Sequence, residues 1–199
     1  MKEKRSSLNQ RIAGRIRELR AAQGGSLDAL ASRSGVSRSM ISLIERGESS
    51  PTAVVLEKLA AALGVTLASL FDPPARTARA PEGPVARRAD QLEWQDPDSG
   101  YRRRNVSPAG VSQPMQIVEV IFPAGGRVAF ENAGRDRLVH QQVWVLEGEI
   151  EIALGAARHR LREGDCLAMR LDGPTMFHNP TRKPVRYAVV IASESQARR

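Results

Sequence analysis

Apolar residues between positions 9 and 71 recur every three or four residues, which is the spacing of helices that bury one face. Asn9 to Ala22 carry such a stripe, and residues 53–63 carry another that ends at Gly64. Pro51 stands where the first residue of the later helix could lie. A last short helix is predicted over residues 67–71. The pattern predicts an all-α N-terminal domain of about five helices.

Residues 26–46 predict two short helices joined by a tight turn. Ser26 suits the N-cap of the first helix, and Ser37 suits the N-cap of the second. Gly35 can take the positive φ that the turn needs. Ile41 and Ile44 would form the buried stripe of the second helix, which leaves its opposite face open to solvent.

The open face of this second helix carries small and basic residues. A helix of this kind enters the major groove of DNA, which is about 12 Å wide, and reaches base edges with its N-terminal residues. We therefore predict a helix-turn-helix that binds double-stranded DNA. The alternative is an ordinary pair of helices with a solvated face. The predicted DNA-binding residues are Ser37, Arg38, Ser39, Ser42, Leu43 and Arg46.

The remainder of the chain has a different pattern. Residues 73–84 are rich in Pro, Ala and Arg and predict a linker between a domain at 8–72 and a domain at 85–195. In the second domain, short runs of strand-forming residues are interrupted by turn residues, which is typical of a β-sandwich or barrel. The predicted strands are Tyr101–Val106, Met115–Phe122, Val128–Glu131, Gln142–Leu146, Glu149–Leu154, His159–Leu161, Cys166–Leu171 and Val185–Ala192.

Both halves resemble known families. Residues 9–71 resemble the lambda-repressor-like (XRE) DNA-binding domain, most specifically in the segment ISLIERGESSP. That resemblance implies an ion pair between Glu45 and Arg20, and phosphate contacts at the N-termini of the second and fourth helices. The segments VWVLEGEIEIALG and LREGDCLAMRLDGPTMFHN resemble the two motifs of a small cupin, a double-stranded jelly roll. The resemblance implies turns at Glu147-Gly148 and Gly164-Asp165, with Asn179 ending the second motif.

The cupin resemblance departs from the metal-binding pattern. A metal cupin supplies three histidines and a glutamate, whereas the corresponding positions here hold Arg135, Arg137, Gln141 and Thr175. Arginine is permanently protonated and cannot ligate a metal, and an amide is a weak ligand. Only a shifted register would bring His140 and His178 into play. We therefore predict no metal, no cofactor and no catalytic residues.

The same positions predict a metal-free ligand site. Strand alternation would point residues 135, 137, 139 and 141 into the barrel. Guanidinium groups in a partly dry cavity need an anionic partner such as a carboxylate or a phosphate. We predict that the β-domain binds a small acidic effector; the alternative places both arginines in an exposed loop. The predicted ligand-binding residues are Arg135, Arg137, Gln141, Thr175, His140 and His178.

The charge and the cysteine content indicate a binding partner and a cellular compartment. The chain has 199 residues and a net charge of +8, concentrated in the N-terminal part, as binding to phosphates would favour. The single cysteine, Cys166, fits a reducing compartment and is predicted to be a buried thiol. No apolar run is long enough to span a membrane. We expect a soluble, cytoplasmic protein.

The sequence thus favours a transcriptional regulator whose cupin domain senses a small-molecule effector. A homodimer on an inverted-repeat operator is expected, because one recognition helix reads only about half of a typical operator. Two alternatives remain open. The β-domain could serve only for dimerisation, as in an antitoxin-like protein, or the cupin could be an enzyme with an accessory helical part.

Overall fold

A computed structural model describes residues 2–72, 84–109, 114–132 and 139–193 of the chain. The N-terminal domain consists of four α-helices and a closing 3-10 turn at Ala68–Phe71. The first helix starts earlier than the apolar pattern suggested, and the predicted fifth helix is this 3-10 turn. The helices are α1 (Lys2–Ala22), α2 (Leu27–Ser34), α3 (Arg38–Glu45) and α4 (Ala53–Ala62).

Side-chain caps fix the ends of the helix-turn-helix. The Ser26 hydroxyl accepts a hydrogen bond from the Ala29 amide at 3.1 Å, and the Ser37 hydroxyl accepts one from the Met40 amide at 3.3 Å. Gly35 ends α2 with a φ of 66°, a conformation that favours glycine. The predicted capping residues and turn are confirmed.

Helix α4 begins two residues later than the sequence suggested. Thr52 is its N-cap, and the threonine hydroxyl accepts a hydrogen bond from the Val55 amide at 3.4 Å. Pro51 therefore precedes the cap and does not occupy the first helical position. The Thr52 hydroxyl satisfies the amide of the third helical residue, as a favoured N-cap does, so Thr52 sets the start of the helix.

The four helices enclose an apolar core. Its residues recur at helical spacing on the inner face of each helix, as the sequence pattern predicts. Because α3 contributes two isoleucines to this core, one face of α3 is held against the domain and the other faces outward. The fully buried aliphatic side chains include Ile12, Ile16, Leu30, Ile41, Ile44, Leu56 and Leu59.

The C-terminal domain is a pair of antiparallel sheets. In the described residues, one sheet has the strand order β1-β2-β3-β10-β5-β8 and the other has the order β4-β9-β6-β7. This two-sheet architecture confirms the predicted all-β, cupin-like domain. The strands are β1 (Glu93–Gln95), β2 (Arg102–Asn105), β3 (Met115–Phe122), β4 (Arg127–Phe130), β5 (Val139–Glu147), β6 (Glu149–Leu154), β7 (Ala157–Arg162), β8 (Cys166–Arg170), β9 (Thr175–His178) and β10 (Val185–Ser193).

Two glycine turns join strands as expected from the cupin motifs. Gly148 lies between β5 and β6 with a φ of 85°, and Gly164 lies between β7 and β8 with a φ of 90°. A side chain at Gly148 would also place its Cβ 3.3 Å from the Pro184 carbonyl oxygen. Both conformations favour glycine, and at each position the chain passes from one sheet to the other.

Cys166 corrects the expectation of a buried thiol. The thiol is exposed at the start of β8. Residues alternate along this strand, with Met169 buried and Leu167 half-buried, so the side chain of Cys166 points to the outer face. The apolar neighbours of Cys166 in sequence therefore did not reveal its direction.

The two domains pack against each other. The Asp96 carboxylate, in the β1–β2 turn, accepts a hydrogen bond of 2.8 Å from the Ala53 amide at the start of α4. The Asn105 amide donates to the Ala68 carbonyl at 3.1 Å, and the rings of Phe71 and Trp94 lie 5.8 Å apart. These contacts place the C-terminal half of the helical domain against the β-domain. Apart from Pro84, the predicted linker lies outside the described residues.

Candidate DNA-reading helix and interdomain cavity

The predicted DNA-binding residues lie along one side of α3 and at its two ends. Those at the ends and on the outermost positions are exposed, and Ser42 and Leu43 are half-buried. Met40 adds an exposed apolar side chain that the sequence analysis did not include. This side of α3 faces away from the core that Ile41 and Ile44 enter. The exposed residues of the set are Ser37, Arg38, Ser39 and Arg46.

An ion pair sets the position of α3. Arg20 Nε and Nη2 donate to the two carboxylate oxygens of Glu45, each at 2.7 Å. The side chain of Glu45 is 8% exposed and that of Arg20 is 18% exposed. The hydrogen bond with Glu45 raises the pKa of Arg20 above its usual value. The implied pair therefore exists, and it ties the C-terminal end of α3 to α1.

Both arginines of the α3 face are engaged by carboxylates in the free protein. Arg38 Nε lies 3.1 Å from an Asp28 oxygen, and Arg46 donates to both Glu48 oxygens at 2.9 and 2.8 Å. The hydrogen bond from Arg46 lowers the pKa of Glu48. All four side chains are exposed, and exposed pairs of this kind are weak. DNA phosphates or base edges can therefore replace these carboxylates.

The N-terminus of α4 meets a carboxylate in this structure. Asp96 accepts from the Ala53 amide, and its other oxygen accepts from the Ser99 amide at 2.9 Å. The Ala53 amide is thus not open to the phosphate contact that the family resemblance implies for this helix end. The corresponding contact at α2 stays a prediction.

A cavity of about 660 Å³, counting the space at its mouth, lies inside the β-domain. Three residues of the helical domain, Glu57, Thr66 and Leu67, form part of its wall. We name this space the interdomain cavity. The rest of the wall consists of Tyr101, Arg103, Val120, Phe122, Val128, Phe130, Asn132, Val139, Gln141, Leu171, Thr175, Phe177, Tyr187, Val189 and Ile191.

The structure brings together only part of the predicted ligand-binding set. Gln141 and Thr175 lie on the cavity wall. His140 and His178 do not line the cavity, because each follows an inward-facing position on its strand and alternation turns it outward. Arg135 and Arg137 lie outside the described residues.

No metal site is formed by the part of the chain that the structure describes. Within it, no group of three or more His, Cys, Asp or Glu side chains is placed to hold an ion. The polar groups of the cavity bond to each other instead. Asn132 Nδ2 donates to the Thr175 hydroxyl at 2.9 Å and to the Gly173 carbonyl at 3.1 Å.

Arg103, which the sequence analysis missed, is the buried cation on the described wall of the cavity. It lies on β2 and is 7% exposed. Burial lowers the pKa of Arg103, and its guanidinium carbon lies 5.9 Å from the centre of the Phe71 ring. Among the described residues, Nε and Nη2 of Arg103 meet no hydrogen-bond partner. The only feature of the sequence that marks this position is a run of three arginines, Arg102 to Arg104.

Two buried tyrosines surround Arg103. Burial raises the pKa of Tyr101 to about 12 and raises that of Tyr187 well above its usual value. Both phenols are therefore neutral at physiological pH. The neighbouring Tyr101 and Tyr187 phenols partly offset the lowering of the Arg103 pKa. Because both phenols are neutral, they do not balance the charge of the guanidinium.

No helix among the described residues combines the length and the apolar character that crossing a membrane requires.

Comparisons with known proteins agree with this architecture. The family model described as Helix-turn-helix (HTH_3) matches residues 16–70. The HTH-type transcriptional regulator SutR of Escherichia coli (strain K12) is 24% identical over 192 residues, which cover 88% of this chain and 91% of SutR. The HTH-type transcriptional regulator PuuR of the same organism is 27% identical over 170 residues, which cover 83% of this chain and 85% of PuuR.

A solved structure shares the fold along nearly the whole chain. The crystal structure of an HTH_3 family transcriptional regulator from Vibrio cholerae superposes with a TM-score of 0.75 at 23% identity. The match covers 96% of this chain and 99% of that one. Residues 16–70 are a helix-turn-helix domain of the XRE type, and in this chain that domain is joined to a two-sheet, cupin-like β-domain.

Proposed function

We propose that the chain binds a specific DNA operator through α3 and that a small effector in the interdomain cavity alters this binding. The observation that carries the proposal is the composition of the cavity wall, to which both domains contribute. A ligand that contacts both domains binds better to one domain arrangement than to another. Its differential affinity then changes operator affinity by the same factor.

The cavity also distinguishes this proposal from the alternative in which the β-domain serves only for dimerisation. Dimerisation needs an outer surface and favours a filled barrel, because empty space in a core is destabilising. Here Arg103 and Tyr101 place polar groups on the wall of an open space. Polar groups around an open space destabilise the domain, and a ligand that fills the space explains why they are there.

We further propose that two copies of the chain bind an inverted repeat. One α3 reads only about half of a typical operator, and two-fold symmetry places a second α3 on the other half. The outer face of the six-stranded sheet supports a self-association surface. It exposes Met115, Ile117 and Trp144, with Cys166 paired next to Trp144 on the same face.

Arg38→Ala is expected to relax specificity at one base pair of the operator and to weaken operator binding by about 1–3 kcal/mol. Arg38 is exposed at the start of α3, where its guanidinium can leave Asp28 for a base edge. Affinities for the operator and for single-base variants, measured at one salt concentration, test this. Arg158→Ala removes an equal charge from exposed β7 and is the matched control. An equal loss on every DNA sequence would mean that Arg38 contacts only phosphate.

Filling the cavity tests the proposed coupling without knowledge of the effector. Val189 lines the cavity, whereas Val85 is exposed and does not line it. Val189→Phe places a ring in the ligand space and is expected to change operator affinity by about fivefold or more. Val85→Phe adds the same ring outside the cavity and is expected to leave operator affinity unchanged. Equal affinities of both variants and the unsubstituted chain, with cooperative thermal unfolding retained, would contradict the coupling.

A further inference from the structure

We propose that the ligand of the interdomain cavity is a small monocarboxylic acid with an apolar body, and that Arg103 binds its carboxylate. This inference rests on the proposed function, since it assigns a ligand class to the same cavity. It is carried by a buried guanidinium edge that lines an open space and has no partner among the described residues.

Burial of Arg103 is costly to the free chain. A guanidinium removed from water is destabilising unless hydrogen bonds and an anion compensate it. Here the Phe71 ring supplies a cation–π contact and Tyr101 is a neutral phenol nearby. Neither partner carries a negative charge. The site is therefore incomplete in the free chain, and an anionic ligand would complete it.

The unpartnered atoms of Arg103 indicate the shape of the anion. Nε and Nη2 form one edge of the guanidinium plane and present two parallel N–H groups. A carboxylate accepts both in a bidentate pair. The same chain shows this geometry at Arg20, where Nε and Nη2 donate to the two oxygens of Glu45 at 2.7 Å. The free edge of Arg103 matches the edge that binds Glu45.

The rest of the cavity wall indicates the body of the ligand. Most of its side chains are aliphatic or aromatic, and its charged members among the described residues are Arg103 and Glu57. Glu57 has interactions of its own, so the Arg103 edge is the group left for a ligand. A monocarboxylate brings one negative charge to that guanidinium, whereas a phosphate dianion would bring a second, uncompensated charge into an apolar space. Gln141, Thr175 and Asn132 offer neutral hydrogen-bonding groups for a hydroxyl or carbonyl substituent.

The neighbouring residue Arg104 provides a matched control. It lies on the same strand and is also buried, but it forms an ion pair with Glu119 and does not line the cavity. Replacing Arg104 with Met therefore breaks an existing pair. Replacing Arg103 with Met removes a charge whose anionic partner is not yet present.

The experiment is thermal unfolding of the full-length chain with straight-chain monocarboxylates from acetate to octanoate. The primary amides of the same acids serve as neutral probes, and inorganic phosphate serves as the other anion. We expect the acids to raise Tm increasingly with concentration, as linkage requires, and the amides and phosphate to have no effect. Arg103→Met is expected to abolish the shift, and Arg104→Met to retain it. Without ligand, Arg103→Met should melt at or above the Tm of the unsubstituted chain, and Arg104→Met below it.

Several results would overturn the inference. A shift that persists in Arg103→Met, or amides that stabilise as well as acids, would remove the role of the guanidinium. A loss of Tm in Arg103→Met as large as that in Arg104→Met would make Arg103 a structural residue. Phosphate alone raising Tm, or no acid raising it, would exclude the ligand class. The proposed coupling fails separately, in the Val189→Phe measurement, which uses no ligand.

Discussion

Glu45→Ala is expected to lower the free energy of unfolding by about 3 kcal/mol or more. The substitution leaves the Arg20 guanidinium largely buried without its bidentate partner. It also removes the side-chain link between the C-terminal end of α3 and α1, so operator affinity should fall even where the chain remains folded. Chemical denaturation measures the first effect, and DNA titration below the unfolding transition measures the second.

A double substitution separates charge from packing at this pair. Arg20→Leu with Glu45→Leu removes both charges and keeps apolar volume, so it should recover much of the stability that the single substitution loses. The backbone contact from Arg17 to the Glu45 carbonyl is retained in both variants. If Glu45→Ala unfolds with nearly the free energy of the unsubstituted chain, the pair does not hold α3 in place.

Asn179→Leu is expected to destabilise the β-domain by about 3 kcal/mol or more, because several buried polar groups lose their partner together. Asn179 is 0% exposed. Its amide nitrogen donates to the carbonyls of Pro123 at 3.0 Å and Lys183 at 2.8 Å. Its oxygen accepts from both the amide and the hydroxyl of Thr181. Leucine has a similar volume and none of these groups.

Asn105→Leu is the matched control for this prediction. Asn105 is half-buried and its side chain makes a single hydrogen bond, to the Ala68 carbonyl. A loss of about 1 kcal/mol is expected for that variant. Denaturation curves of the two variants decide the comparison. Equal losses in both would show that the network around Asn179 contributes no more than one ordinary hydrogen bond.

The helical domain could be predicted because its signals are local. Ser26, Gly35 and Ser37 act within a few residues of their own positions, so the sequence specifies the helix-turn-helix directly. The ion pair of Arg20 with Glu45 is not local, and only the family resemblance indicated it. Its two members lie on different helices that tertiary packing brings together.

The β-domain could be predicted in its class and in most of its strands. Strands β3 and β6 have the predicted bounds. Strand β1 was missed because it has three residues and a single buried side chain, Trp94, too few alternating positions for a pattern to be recognised. Strand β9 was also missed, although β2 and β4, which have four residues as β9 does, were predicted. Pairing with their neighbours, rather than their own sequence, defines β1 and β9.

The cavity could be predicted only in outline. Alternation placed Gln141 on its wall, but the predicted cations, Arg135 and Arg137, lie outside the described residues. Arg103 was missed because a run of three arginines suggests an exposed strand. The 3-10 turn containing Phe71 packs over this strand and buries the middle arginine. That contact comes from the other domain, so no local pattern contains it.

The contact between the domains was not predicted for the same reason. Asp96 lies in the segment DPDSG, and its bonds with Ser99 stabilise the turn between β1 and β2. The second role of its carboxylate, as a partner of the Ala53 amide, depends on how the domains dock. The wall of the cavity depends on the same docking.

Capture of fragmented genomic DNA by the purified chain, followed by sequencing at near-physiological salt, tests whether α3 binds a specific operator. Strong enrichment of an inverted repeat at a few sites is expected, with the enrichment lost when Arg38 and Ser39 on the α3 face are both replaced by alanine. Enrichment of a single half-site would contradict the proposed dimer. Uniform or absent capture, or equal enrichment by the α3 variant, would contradict sequence-specific binding through α3.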